Sequence, residues 1–339
     1  MITHLLMSAG QGNYLKPTDV LGVNTWTGDN TNGRAITSGV DLSGDGGLVI
    51  VKSTSASTAP IWVNTLRGAL YDLESSSKAD YAYNSDTVSA FNSDGFSVSN
   101  DTETNYSGYS YVGYSIKQQS GFFDMQTWTG NGSNRTIDHN LGVKPELMIV
   151  KCTSDDGVNT QDWVVWSQSF VELPEYARDD LVLLNSTSAV VTPRRDAFAH
   201  GSVGTEGPQS TYFHIGQAPE TNASGFGYIG FLFASRQGLS KVGYYRGNGT
   251  TQDIDCGFGN GARFVMVKRL DATSNWSVFD VERGISSGSD GRFSMNLTSA
   301  QTSADHVDTV SSGFTVNYVA DDSNDVNVDS AVYLFFAIA

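Results

Sequence analysis

The sequence predicts an all-β protein made of tandem β-sandwich, jelly-roll-like domains. One unit recurs three times along the chain, which is the first reason. The second is composition: among 339 residues there are 36 glycines and 7 prolines, charged residues make up 17%, and the turns are rich in Ser, Thr and Asn. The third is that almost no segment carries a helical period longer than two turns.

The elements of the unit follow in order. Each copy opens on a short alternating apolar run stopped by glycine: Val23-Asn-Thr-Trp26-Thr-Gly28, Met125-Gln-Thr-Trp128-Thr-Gly130-Asn131-Gly132 and Val242-Gly-Tyr-Tyr245-Arg-Gly247-Asn248-Gly249. This pattern predicts a strand entering a hairpin. A nearly continuous apolar run ending in lysine comes next, as Gly47 to Lys52, Glu146 to Lys151 and Arg263 to Lys268. It predicts a strand buried on both faces, with Lys52, Lys151 and Lys268 reaching water at its end. A tryptophan stands about ten residues later in every copy, as Trp62, Trp163 and Trp276, and is expected to anchor the core because its ring brings more apolar area than its neighbours.

The back half recurs more loosely. Phe91-Asn-Ser-Asp-Gly95-Phe96-Ser-Val98 matches Ser311-Ser-Gly313-Phe314-Thr-Val316, and the middle copy has Thr211-Tyr-Phe-His-Ile215 in that place. Closing strands are expected at Gly108 to Ile116, Gly225 to Phe233 and Ala331 to Ala337. The predicted organisation is an N-terminal anchor segment over 1–20 and sandwich units over 21–119, 120–237 and 238–339, each near the usual domain size and arranged as beads. The segment Leu66 to Leu73 reads as one short helix or a loop. The apolar start containing Leu5, Leu6 and Met7 lacks a basic flank and a long apolar core, so it is not read as a secretory signal. It is expected to be held by a partner, a sister subunit or the first unit.

Few side chains suggest chemistry. The net charge of -16 argues against a nucleic-acid groove, since Arg194-Arg195 is an isolated basic pair. No run approaches the roughly 18 apolar residues of a membrane span. Cys152 and Cys256 lie at different points of their repeats and are expected to stay free thiols in a reducing cytoplasm. His4, His139, His200, His214 and His306 show no metal spacing and read as polar loop or strand residues. There is no nucleophile elbow and no phosphate loop. No catalytic residue, metal or cofactor is therefore assigned. Asp321 to Asp329 offers the oxygens that calcium prefers but lacks the glycine and bidentate glutamate of a regular loop, so it reads first as an exposed turn, as does Asp155-Asp156-Gly157.

The repeated unit, from its Trp or Tyr opening through Gly-Asn-Gly, the Gly142-Val-Lys-Pro145 turn, the lysine-ended strand, Ser-Asp-Gly-Phe and the Tyr111-Val-Gly-Tyr114 closing strand, resembles the repeat of tailed-phage virion proteins known as tail, tail-fibre or structural proteins. The start, His4 to Gly10, is similar to the start of such proteins in marine phages. The resemblance covers nearly the whole chain, and its motifs are fold motifs. It implies a non-enzymatic virion protein, assembled in the host cytoplasm, held to other tail or capsid proteins through its N-terminus, used as a homo-oligomer and open to host attachment. A capsid decoration or head-fibre protein and a carbohydrate-binding module that recognises a host glycan are the alternative expectations.

Overall fold

The computed structural model describes residues 15–79, 82–154, 160–191, 197–198, 207–285, 288–320, 322 and 325–339. The anchor residues Leu5, Leu6 and Met7, the turn at Asp155 to Gly157 and the pair Arg194-Arg195 lie outside the described residues. Strands dominate, in antiparallel sheets that form three successive sandwich-like pairs.

The first unit contains β1 (Leu21–Thr27), β2 (Arg34–Thr37), the single turn α1 (Leu42–Asp45), β3 (Gly47–Ser53), β4 (Ile61–Asn64), β5 (Tyr71–Glu74), β6 (Ala82–Tyr83), β7 (Val88–Asn92), β8 (Gly95–Val98) and β9 (Ser110–Lys117). Its large sheet runs β1-β9-β3-β4-β5-β6 and its small sheet β2-β8-β7. The second unit contains β10 (Phe123–Thr129), β11 (Arg135–Asp138), β12 (Leu147–Cys152), β13 (Val164–Ser167), α2 (Ser169–Glu172), β14 (Val182–Leu183), β15 (Tyr212–Ile215), α3 (Pro219–Asn222) and β16 (Gly227–Phe233). Its sheets run β10-β16-β12-β13-β14 and β11-β15. The third contains β17 (Ser240–Arg246), β18 (Gln252–Asp255), β19 (Phe264–Arg269), β20 (Trp276–Asp280), β21 (Asp290–Ser294), β22 (Thr302–Ala304), β23 (Val307–Val310), β24 (Gly313–Val316) and β25 (Val332–Ile338). Its sheets run β17-β25-β19-β20-β21-β22 and β18-β24-β23. The closing strand of each unit sits between the opening strand and the apolar strand, and both it and the apolar strand are buried.

The glycine-rich stop after the opening strand is not a hairpin. β1 pairs with β9 and β2 with β8, so the chain crosses there from the large sheet to the small one. Glycine is required because a neighbouring carbonyl fills the place of a side chain. A Cβ at Gly28, Gly130 or Gly247 would meet the carbonyl oxygen of Tyr106, Ala223 or Val328 at 2.1, 2.0 and 2.1 Å. A tyrosine of the closing strand fixes that approaching loop. Tyr111, Tyr228 and Tyr333 donate to the carbonyls of Thr102, Pro219 and Asp325 at 2.8, 2.7 and 3.0 Å, and accept from the backbone N–H of Tyr106, Ala223 and Val328. Leu66 to Leu73 is not helical: a turn leads into β5.

Alternation along the large sheets sends side chains to two different cores. One face packs inside its own sandwich, as Trp26, Val49, Val51 and Phe96 do in the first unit and Tyr245, Val265, Val267 and Phe314 in the third. The opposite faces of all three large sheets contribute to one shared apolar cluster, which includes Ile50 and Trp62, Ile149 and Phe231, and Met266 and Phe336. Trp62 lies 5.3 Å from Trp163 and 5.2 Å from Phe231, Tyr114 lies 5.1 Å from Phe264, and Phe233 lies 4.7 Å from Phe336. The units are therefore not the independent beads expected from their length. The repeat was readable within each copy, but the face that joins the copies looks the same in sequence as a face that fills one sandwich.

Candidate functional site at the junctions between units

The three lysines that end the apolar strands do not reach water. Lys52, Lys151 and Lys268 are fully buried, and each donates from Nζ to two carbonyls, one in its own unit and one in a neighbour. Lys52 bonds Thr58 at 2.8 Å and Thr298 of the third unit at 2.9 Å. Lys151 bonds Gln161 at 2.8 Å and Lys78 of the first unit at 2.7 Å. Lys268 bonds Ser274 at 2.5 Å and Thr187 of the second unit at 3.0 Å. The three cross-unit bonds run first to third, second to first and third to second, so the contacts close a ring. An ammonium is tolerated here because main-chain oxygens replace its water. Burial still pushes Lys268 down to about 7, and Lys52 down to about 8 against the opposing pull of Glu103.

Tryptophan seals two of the seams. Lys268 faces Trp276 across the sheet, and the register of β12 with β13 sets Lys151 beside Trp163. Trp163 donates from Nε1 to the carbonyl of Glu74 in the first unit at 3.0 Å, and Trp276 to that of Leu183 in the second at 2.9 Å. Trp62 does not occupy the corresponding place. Val51 pairs with Ile61, which puts Pro60 opposite Lys52, and Trp62 comes two residues later, facing Ile50. The backbone explains the exchange. Trp163 and Trp276 donate N–H groups to Asn185 and Asn296, whereas Pro60 has no N–H and Ser76 stands where the asparagine would be. The seam between third and first units has its own polar lock instead. Tyr114 donates to Asp280 Oδ2 at 2.6 Å, Arg283 Nε donates to the same oxygen at 2.6 Å, and the Arg283 guanidinium lies 4.8 Å from the Phe293 ring centre.

Other candidate residues stay apart. His214 lies in β15 and His139 and His306 in the connections beside β11 and β23, and all three are buried. The Asp321 to Asp329 segment is not simply an exposed turn. Asp325 is 2% exposed and accepts from the N–H groups of Asn327 and Val319 at 2.9 and 3.2 Å, while Asp322 accepts from Arg292 at 2.8 Å. Among the described residues no group of His, Cys, Asp or Glu is arranged to hold a metal ion. Cys152 and Cys256 are buried free thiols. No helix among the described residues is long and apolar enough to cross a membrane.

The junction of the second and third units also holds a cleft of about 380 Å³. It opens between the edge strands β17 and β18 and is walled by α2 of the second unit. Its floor is Val242, Ile254 and Phe335, and its rim carries Glu146, Glu172, Lys241, Tyr244, Asp253 and Asp255. Ser235 donates its N–H to Glu146 at 3.1 Å, Thr315 its hydroxyl to Asp253 at 2.6 Å, and Gly257 its N–H to Asp255 at 2.8 Å. Arg246 of β17 pairs with Glu175 just beyond α2 and holds the two walls together.

One family model matches residues 16–339, and its description is a domain of unknown function, DUF7483. The chain belongs to the DUF7483 family. The match runs through all three sandwiches, so the DUF7483 unit is the closed ring and not the single sandwich. A comparison with curated proteins finds none that matches.

The lysines and the cleft went unassigned in the sequence for different reasons. Three identical ionisable residues at one point of three copies were a signal of burial, because a water-facing position is free to vary. The cleft gave no such signal, since its walls come from two units.

Proposed function

We propose that this DUF7483 protein is a structural component of a tailed-phage virion, of the tail, fibre or head-decoration kind, that takes part in host attachment and does no catalysis. The ring carries the reading: three sandwiches share one apolar cluster and are stapled by three buried lysines, which gives a rigid body whose loops are displayed outward. The resemblance of the repeat to phage tail and structural proteins supports it, and the charge of -16 suits a protein displayed in many copies. The N-terminal segment with Leu5, Leu6 and Met7 is proposed to hold it to other virion proteins.

Gold-labelled antibody against residues 238–339, imaged on intact particles of the encoding phage, tests this. Label on the tail or its appendages, lost when residues 1–16 are deleted, supports an attachment protein held by its N-terminus. Label over the capsid supports the head-decoration form. Particles without label overturn the virion reading.

A further inference from the structure

We propose that the cleft between the second and third units binds an amino sugar, so that the third sandwich carries recognition while the other two serve as framework. This rests on the attachment reading above.

The chain supplies its own comparison. The strand registers make Val23, Met125 and Val242 equivalent, and with them Ile36, Ile137 and Ile254. In the first two units a tryptophan closes the edge of the sandwich. Trp26 and Trp128 stack on Tyr111 and Tyr228 at 5.6 and 5.7 Å and lie over Gly113 and Gly230, where a Cβ would meet the ring at 2.9 and 3.1 Å. In the third unit the smaller Tyr245 stacks on Tyr333 at 5.0 Å, Phe335 replaces the glycine, and its ring leans over Gly243, where a Cβ would meet it at 2.9 Å. The aromatic contact is thus rebuilt with the ring displaced along the sheet, and the cleft lies beside it.

The rim departs from the repeat at the same place. Tyr244 and Asp253 stand where the first unit has Thr25 and Ala35 and the second has Thr127 and Thr136, whereas Asp255 is shared with Asp138 of the second unit. Residues shared by the copies serve the common fold, so departures gathered around one opening call for another cause. Tyr244 is exposed, and its hydroxyl has no partner among the described residues. Among the described residues neither the Glu172 carboxylate nor the Lys241 ammonium makes an ion pair.

The chemistry selects the ligand. The volume falls at the lower end of small-ligand sites, roughly 300–1,000 Å³. An apolar floor with an exposed phenol suits the apolar face of a pyranose, and carboxylates suit its hydroxyl pairs. Four carboxylates against one ammonium disfavour an anionic glycan and favour a positively charged one. A sugar with a free amino group meets all three conditions.

Isothermal titration calorimetry of the full-length chain with a glucosamine trimer tests the proposal, alongside the N-acetylglucosamine trimer and spermine. Saturable binding to the glucosamine trimer is expected, with affinity falling by about tenfold in Tyr244→Ala and in Asp253→Asn, the loss of one good polar or stacking contact. The melting temperature should not move, and Thr25→Ala in the first unit should bind as the parent does. Should Asp253→Asn not fold, Glu172→Gln on the exposed turn of α2 gives the same reading. No saturable binding, binding equally tight to the acetylated trimer, or binding to spermine that is as tight and indifferent to Tyr244→Ala would each overturn the amino-sugar site. A chain that binds no sugar yet labels the particle loses only this site, whereas particles without label overturn the virion reading whatever the calorimetry shows.

Discussion

Lys268 in the third sandwich donates its ammonium to the carbonyl of Thr187 in the second, 3.0 Å away and out of reach of water. A single side chain thus ties two folding units through main-chain oxygen. Substitution by alanine removes the Nζ donor from the carbonyls of Ser274 and Thr187, of which Thr187 keeps only the N–H of Ser274, and opens a cavity, and about 2–4 kcal/mol should be lost in urea unfolding. Lys268→Met, which refills the volume, should lose less.

The same lysine gives a pH signature. Its folded pKa, about 7, is depressed from 10.5 by burial, so the unfolded chain holds the extra proton between those values. The contribution to stability is present above the unfolded value and lost as pH falls through about 7. The melting temperature of the parent minus that of Lys268→Met is therefore expected to rise from pH 7 towards pH 10. A flat difference would show that the ammonium is not desolvated.

Glu103 behaves in the opposite sense. Burial first, then the charges of Asp101, Glu74 and Asp72, raise it from 4.5 to about 8. Its contribution is complete below the unfolded value and is lost as pH rises through about 8. Glu103→Gln should be the more stable protein at pH 8.5, by about 1 kcal/mol once screening by solvent at its partly exposed side chain is allowed for. The two proteins should converge at pH 4, as measured by thermal melts across that range.

Sharing of one core predicts shared unfolding. Calorimetry should show a single transition with calorimetric and van't Hoff enthalpies in agreement, although a chain of beads would give several. Trp62→Ala, which removes a ring lying against Trp163 of the second unit, should lower that single transition by about 3–5 kcal/mol without splitting it. Separate melting of the first unit would refute the common core.

Gly113 and Trp26 should be coupled. Gly113→Ala places a methyl group 2.9 Å from the indole and is expected to cost about 1–3 kcal/mol by overpacking. Combining it with Trp26→Tyr, the ring that the third unit uses, should cost less than the two single changes together. Additive losses in a double-mutant cycle would count against the exchange of ring positions between units.

Local structure was legible where one unit sufficed to determine it. The opening, apolar and closing strands all form, and the tryptophans are buried, because alternation and apolar runs act within one sheet. What failed were features decided by a neighbour. A terminal lysine on an apolar strand looks the same whether it meets water or the carbonyl of another unit. Gly28 looks like a turn residue, and only the path of the chain at Tyr106 shows that it makes room for a crossing backbone. The spacing that suggested three equivalent tryptophans concealed a register shift of two, because the bond that fixes Trp163 and Trp276 runs from their N–H groups to Asn185 and Asn296, and Pro60, at the same place in the first unit, has no N–H to give. The candidate cleft was divided between Glu172 of one unit and Asp253 of the next, and neither had a motif around it.

The ring is closed in space but linear in covalent connection. Peptide joins the first unit to the second and the second to the third; Lys52 on Thr298, Ser75 on Met295, Tyr114 on Asp280 and the backbone bond from Gln301 to Thr54 hold the remaining seam without a covalent link. That seam is the natural point of exchange. A chain opened there offers its first sandwich to a second copy through the same contacts that it makes with itself, so high local concentration would favour rings interlinked by swapped units over rings closed singly.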